Sequence, residues 1–331
     1  MIKRETKLGF LFAVLANIFG GIQPVIANLR PETFDSFLFA GITAVIQIIV
    51  ILPIFIIKIK ILKTNQNKVK NLENPSHKSF RFYFGKSKWY LFIIIGTMFS
   101  LVMFLYYSGL YIAGSINGTL ALKSTAFFGL LFGFLLLKEK VTYIQIIFSS
   151  ILFFGLILAV TQGNFNLLEL NIGVILILIC AAIWMIGHTC SKPYLQNNIT
   201  SSSELLIWRN IFSACILLSL YVLIFGPNQF ISLLSDPTNA FFYIICGIIY
   251  AGNLFSWYQI IKYLDISLGT ILITPQVIVS AIFGTIFGEK FTYYHLIGLI
   301  IIIISIIIIN WESKRKKQKE KEKEKEKDFK E

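Results

Sequence analysis

The segment 119–129, TLALKSTAFFG, continues into LLFGFLLLKEK and forms an apolar run with one lysine, Lys123, well inside it. A mid-span ammonium costs about 2.5–3.5 kcal/mol on insertion scales, so a lysine there requires a partner. Two kinds of chemistry suit it. Facing a polar cavity, it meets the carboxylate or phosphate of a solute. Leaning toward the helix N-terminus, it carries its charge along an apolar stem to the membrane surface. Seven residues at about 1.5 Å each place it roughly 10 Å below the start of its run, and a reach on the order of 6 Å recovers only part of that depth. All 17 acidic residues fall in loops, at span ends or in the C-terminal tail, so none at comparable depth can pair with it.

Other polar residues interrupt apolar runs in the same way. The first run contains Asn17, Gln23 and Pro24. Pro24 removes a helical hydrogen bond and frees a carbonyl that needs a polar partner. Asn17 and Gln23 need not share a face, and suit either a cavity wall or inter-helix hydrogen bonds worth roughly 0.6–2 kcal/mol. Pro275, beside Thr274 and Gln276, marks a second interruption, either a broken helix at a site or a passive kink.

Trp184 and His188 stand at i and i+4 on one helix face; Asn253, Trp257 and Tyr258 follow in a later run, and Tyr106 and Tyr107 in an earlier one. Rings beside polar groups are what a small-molecule pocket uses, although most rings in a chain with 15% aromatic residues serve packing or interface belts. His188 lies near the end of its run and suits a hydrogen-bonded interfacial position or a proton-coupling role. Arg209, close to Glu204 at the start of a span, suits an interface anchor. The substrate-binding candidates are therefore Lys123, Asn17, Gln23, Trp184, His188, Asn253, Trp257, Tyr107 and Gln276, with Pro24 and Pro275 as kinks or gates.

The elements that must position these residues follow from composition. Of the 331 residues 56% are hydrophobic and only 14% charged, with a mean hydropathy of +0.74; soluble domains carry about 25% charged residues. Ten apolar runs, 8–28, 36–57, 90–112, 116–137, 143–161, 171–190, 204–225, 239–262, 267–287 and 293–311, have the length needed to cross a bilayer. Short connections make neighbouring spans antiparallel. The net charge of +13 is local: 58–88 holds nine Lys/Arg against one Glu, and the Lys/Glu tail from Lys314 holds ten against six acids. That tail reads as disordered or as a solvated helix. No folded basic face supports nucleic-acid binding.

With the N-terminus cytoplasmic, 26 of the 30 Lys/Arg fall on the inside and only Arg30 and Lys290 outside. The expected topology is thus a multi-pass protein of the plasma membrane with both termini in the cytoplasm. The basic N-terminus imitates a signal peptide but reads as a retained first span. Cys180, Cys190, Cys215 and Cys246 lie in or beside apolar runs without metal spacing and say nothing about redox compartment.

The chain also repeats itself. LLLKEKVTYIQIIFSSILFFGLILA (135–159) aligns at an offset of 150 with IFGEKFTYYHLIGLIIIIISIIII, placing Ile273 where Lys123 stands. Each repeat holds five spans, and because five is odd the second copy is inverted, the arrangement of secondary transporters with a midplane site. The expected fold is all-α: ten transmembrane helices as two inverted five-helix repeats. Residues 1–161 form the first repeat, with a basic cytoplasmic loop at 58–88, residues 162–311 the second, and 312–331 a charged tail.

The stretches AGSINGTLALKSTAFFGLLFGFLLLKEKVT and LDISLGTILITPQVIVSAIFGTIFGEKFT resemble the drug/metabolite transporter superfamily, specifically its EamA-type members. Pro275 and Glu289 match the family's proline and closing glutamate. Glu139 takes the matching place in the first repeat, with Ser124 or Thr125 instead of the proline. The resemblance covers the chain apart from the 59–88 loop and the tail. It implies a central cavity among spans 1, 3, 4, 6, 8 and 9 and movement of amino acids and other small metabolites, commonly outward. The leading expectation is a secondary transporter, not an enzyme, that exports a small polar metabolite. The alternatives are an organic-anion or phosphate-sugar exchanger and, from another class, a membrane-embedded enzyme or scaffold. The expected partners are a small-molecule substrate, the lipid bilayer and a second copy of the chain; the chain has no P-loop or metal-ligand motif, so no cofactor or metal is expected.

Overall fold

The computed structural model describes residues 2–70, 86–137, 141–164, 171–264, 269–270 and 272–328. Glu139 and the middle of the basic 58–88 stretch lie outside these residues. Among the described residues nine helices are long and apolar enough to cross a membrane, and a shorter apolar helix completes the tenth span. The spans in chain order are α1 (Ile2–Asn28), α2 (Ser36–Lys70), α3 (Lys86–Ala113), the pair α4 (Ser115–Ala121) and α5 (Thr125–Leu137), and α6 (Tyr143–Val160). The second half continues with α7 (Ile172–Gln196), α8 (Ser202–Phe225), α10 (Pro237–Tyr263), α11 (Gln276–Ile286) and α12 (Tyr293–Asp328). Between α8 and α10 lies a short helix, α9 (Pro227–Ser235), that hydropathy alone does not reveal; it is amphipathic with no buried residue, as suits a helix lying along the interface. The basic tail continues α12 as a helix through Asp328.

The packing repeats under a two-fold operation that exchanges the halves. Span 1 packs on span 8 as span 3 packs on span 6, while spans 2 and 7, 4 and 9, and 5 and 10 pair with each other across the axis. Spans 5 and 10 are antiparallel: Gln145 at the start of α6 donates to the carbonyl of Ile309 near the end of the apolar part of α12, 3.4 Å away. Their backbones nearly touch, since a Cβ added to Gly298 would stand 2.5 Å from the carbonyl oxygen of Gly155. Small residues supply close approach where lipid gives no hydrophobic drive for helix association. With ten antiparallel spans both chain ends share one face of the bundle, here the terminal face; the opposite one is the distal face.

Two spans depart from a continuous helix. Span 4 tightens into a 3-10 turn at Leu122–Ser124, and span 9, helical at 269–270 and 272, turns at Ile273–Pro275 before α11 starts. The apolar run 116–137 predicts one helix; the break arises where Thr125 turns its hydroxyl back to the Leu122 carbonyl (2.7 Å), a side-chain bond that competes with helical pairing. Pro24, in contrast, leaves α1 continuous and is buried within it.

Candidate functional site

The two breaks face each other, and side chains satisfy the carbonyls exposed there. In span 9 the N–H of Gln276 bonds to the Ile273 carbonyl in 3-10 fashion (3.3 Å), which leaves the Leu272 carbonyl without its regular α-helical donor. Asn17 donates to that oxygen across 2.6 Å. Lys123 reaches from the other break: its Nζ donates to the Ile273 carbonyl at 2.9 Å and to Gln276 Oε1 at 3.2 Å. The lysine thus binds the backbone of its own counterpart in the inverted repeat. It is only 4% exposed, and both acceptors are neutral. Its ammonium points into the bundle rather than toward a membrane surface.

Gln276 is the hub of this arrangement. Its Nε2 donates to the Ala16 carbonyl (2.9 Å) and to Asn253 Oδ1 (3.3 Å) while its Oε1 accepts from Lys123, so one amide joins spans 1, 4, 8 and 9. Gly20 makes room for it: a Cβ there would overlap Gln276 Nε2.

A cavity of about 60 Å³ opens beside this hub, lined by Lys123, Gln276 and Asn253 and by the rings of Trp184, His188, Trp257 and Tyr106. His188 sits in an aromatic box, with ring centroids of Phe99 at 5.5 Å, Trp184 at 5.7 Å, Trp257 at 5.5 Å and Tyr258 at 5.4 Å. It is 1% exposed, so the interfacial position suggested by its place near a span end is corrected: span 6 turns it into the core.

Polar layers lie between the cavity and each face. Toward the distal face Tyr106 donates to Gln23 Oε1 at 2.6 Å, and Gln23 Nε2 reaches Tyr107 Oη at 3.4 Å and Cys246 Sγ at 3.5 Å. Beyond them Glu289 closes the distal end. Its carboxylate accepts from the backbone N–H groups of Ser115 (2.8 Å) and Ile116 (3.0 Å) at the start of α4, and from Asn28 Nδ2 at the end of α1 (3.1 Å). Anion and helix N-terminus are electrostatically matched, and one side chain ties three spans.

Toward the terminal face stands Arg209, fully buried rather than anchored at the interface as its position in the sequence suggests. Its guanidinium lies 4.3 Å from the Phe99 ring centroid and donates to Asn210 Oδ1 (3.1 Å) and Tyr258 Oη (3.3 Å). Asn210 in turn donates to Gln47 on α2 at 3.1 Å. Arg delocalises its charge and stacks on rings, which eases its burial among Phe99 and Tyr258.

Of the eleven residues singled out by sequence, Lys123, Trp184, His188, Asn253, Trp257 and Gln276 border the cavity. Asn17 supports the break from behind, Gln23 and Tyr107 belong to the distal polar layer, Pro24 is buried in α1, and Pro275 is exposed on the outside of the bundle. Sequence reasoning missed Gly20, whose GG pair in mid-span was a usable signal, and the capping role of Glu289 across repeats, for which no local signal exists.

Comparison with solved structures finds a chain, described only as "Crystal structure of protein", that superposes with a TM-score of 0.60 at 15% identity over 92% of this chain and 98% of its own length; at that identity it establishes the fold alone. No curated protein matches the sequence. The model of the EamA-like transporter family matches residues 7–161 and again 171–311, one match per five-span repeat. With inverted packing, facing breaks and two family matches that span nearly the whole membrane-crossing region, the chain belongs to the EamA-like transporter family.

Proposed function

We propose that this transporter moves a small polar metabolite bearing an anionic group across the plasma membrane by alternating access, exporting it from the cytoplasm. Both termini lie on the cytoplasmic side, so the terminal face is the inner one; the distribution of Lys/Arg supports this orientation. The observation that carries the reading is Lys123, a buried ammonium whose acceptors are a backbone carbonyl and an amide.

An anion can compete with those two acceptors for Lys123. A hydrogen bond from a charged donor to a neutral acceptor contributes about 1.5–3 kcal/mol. Two unit charges 4 Å apart attract by about 4 kcal/mol at an effective dielectric of about 20. The two bonds together are comparable in strength to that attraction, so an entering carboxylate or phosphate shares Lys123 with Ile273 and Gln276 and thereby loosens the contact between the two breaks. That release couples binding to movement of one repeat against the other. Glu289 and the Gln23–Tyr106–Tyr107 layer close the outer route, and the Arg209 layer closes the inner one.

The test is transport by purified protein in proteoliposomes, with a panel of labelled carboxylates and phosphorylated sugars. Lys123→Gln lowers uptake of the best solute at least tenfold while insertion and monodispersity stay normal. Equal transport by Lys123→Gln and the parent protein rejects the reading.

A further inference from the structure

The polar groups that line the cavity differ in how far they are satisfied. Lys123, Gln276 and Asn253 are linked to one another and to backbone. Trp184 Nε1, Trp257 Nε1 and both ring nitrogens of His188 are buried and without a hydrogen-bond partner among the described residues. All three rings border the cavity. A buried polar group left unpaired is costly, so three such rings along one cavity mark where a solute places polar atoms of its own.

The chemistry of these rings specifies those atoms. Each indole is a donor only, and a neutral imidazole offers one donor and one acceptor. The rings thus present three N–H groups against one lone pair, a match for oxygen rather than nitrogen. The local field agrees. Arg209 stacks on Phe99 at 4.3 Å, and its partner Tyr258 and Phe99 both pack on His188. Arg209's described hydrogen-bond partners, Asn210 and Tyr258, are neutral, so its charge is not cancelled by an adjacent acid. A solute ammonium would meet the charge of Lys123 in the cavity and that of Arg209 behind the Phe99 and Tyr258 rings, whereas a second carboxylate supplies up to about four acceptor sites to three donors.

We infer that the solute is a small dicarboxylate, held with one carboxylate at Lys123 and the other against Trp184, Trp257 and His188. This rests on the proposed anion transport and narrows its substrate class.

Binding to the full-length purified chain, followed by tryptophan fluorescence and thermal stabilisation, tests the inference with succinate, butyrate and aspartate as probes. Succinate binds at least tenfold tighter than butyrate, which has the same chain length and one carboxylate, and tighter than aspartate, which adds an ammonium. Trp257→Phe removes one N–H and keeps a ring, and weakens succinate by about five- to tenfold while butyrate changes less than twofold. Trp184→Phe is an independent second variant with the same expectation. Lys123→Gln weakens both carboxylates. Equal affinity for succinate and butyrate, or unchanged succinate affinity in both tryptophan variants, overturns the dicarboxylate assignment and leaves Lys123 as an anion site. If a monodisperse protein binds neither carboxylate, the dicarboxylate assignment falls, and the anion reading falls with it only if the phosphorylated sugars of the transport panel are not moved either.

Discussion

The two helix breaks occupy equivalent places in the two repeats, yet they are built from opposite chemistry. Around Ile273–Pro275 a proline ends the irregular stretch and carbonyl oxygens are left to accept. Around Leu122–Ser124 there is no proline; a threonine hydroxyl competes with the backbone, and a lysine projects to donate. Two identical breaks would present carbonyl to carbonyl or ammonium to ammonium, and neither pair can bond. Inversion thus supplies matched geometry, and divergence of the repeats turns that geometry into a donor–acceptor contact at the centre of the bundle.

Making the breaks alike in charge gives the largest expected effect. Ile273→Lys places a second ammonium opposite Lys123 with no acid beside either. We expect a loss of at least about 3 kcal/mol, seen as a large drop in thermal midpoint or failure to obtain folded protein in detergent. A retained midpoint would show that the breaks do not face each other in the membrane.

Gly20→Ala sharpens the comparison through the hub. Its Cβ would enter the space of Gln276 Nε2 and stand 2.8 Å from Asn253 Oδ1. The amide is the far end of a flexible side chain, so stability falls by only about 1–3 kcal/mol. Because that amide links four spans, transport falls at least tenfold. Unchanged transport would mean that Gln276 is a bystander. Pro275→Ala is the mildest test: the proline faces outward and its removal restores an N–H. The variant folds with stability within about 1 kcal/mol of the parent, and transport slows severalfold as span 9 regains helical pairing.

What the sequence reveals follows the same division. Span positions are legible because apolar runs of bilayer length leave few alternatives. Lys123 is legible because its cost in hydrocarbon is high, and Asn17, Gln276 and Asn253 because polar residues are rare in such runs. Orientation about the helix axis is not legible: spans 6 and 7 are apolar nearly all round, so no stripe shows that His188 and Arg209 turn inward. The capping of α4 by Glu289 depends on a contact between residues 174 apart, and nothing in either segment announces the other.

Fixing an ammonium at mid-depth has a further consequence, which concerns membrane voltage. A charge carried through the whole potential changes the free energy by about 2.3 kcal/mol per 100 mV, and a partial displacement by a corresponding fraction. In the proposed cycle the empty carrier shifts Lys123 within the field uncompensated, whereas a monoanion seated on it cancels the moving charge. Voltage then acts on the return of the empty protein rather than on the loaded step. A dianion reverses the sign of the loaded charge, so current recorded during binding and return reports how many negative charges the solute carries.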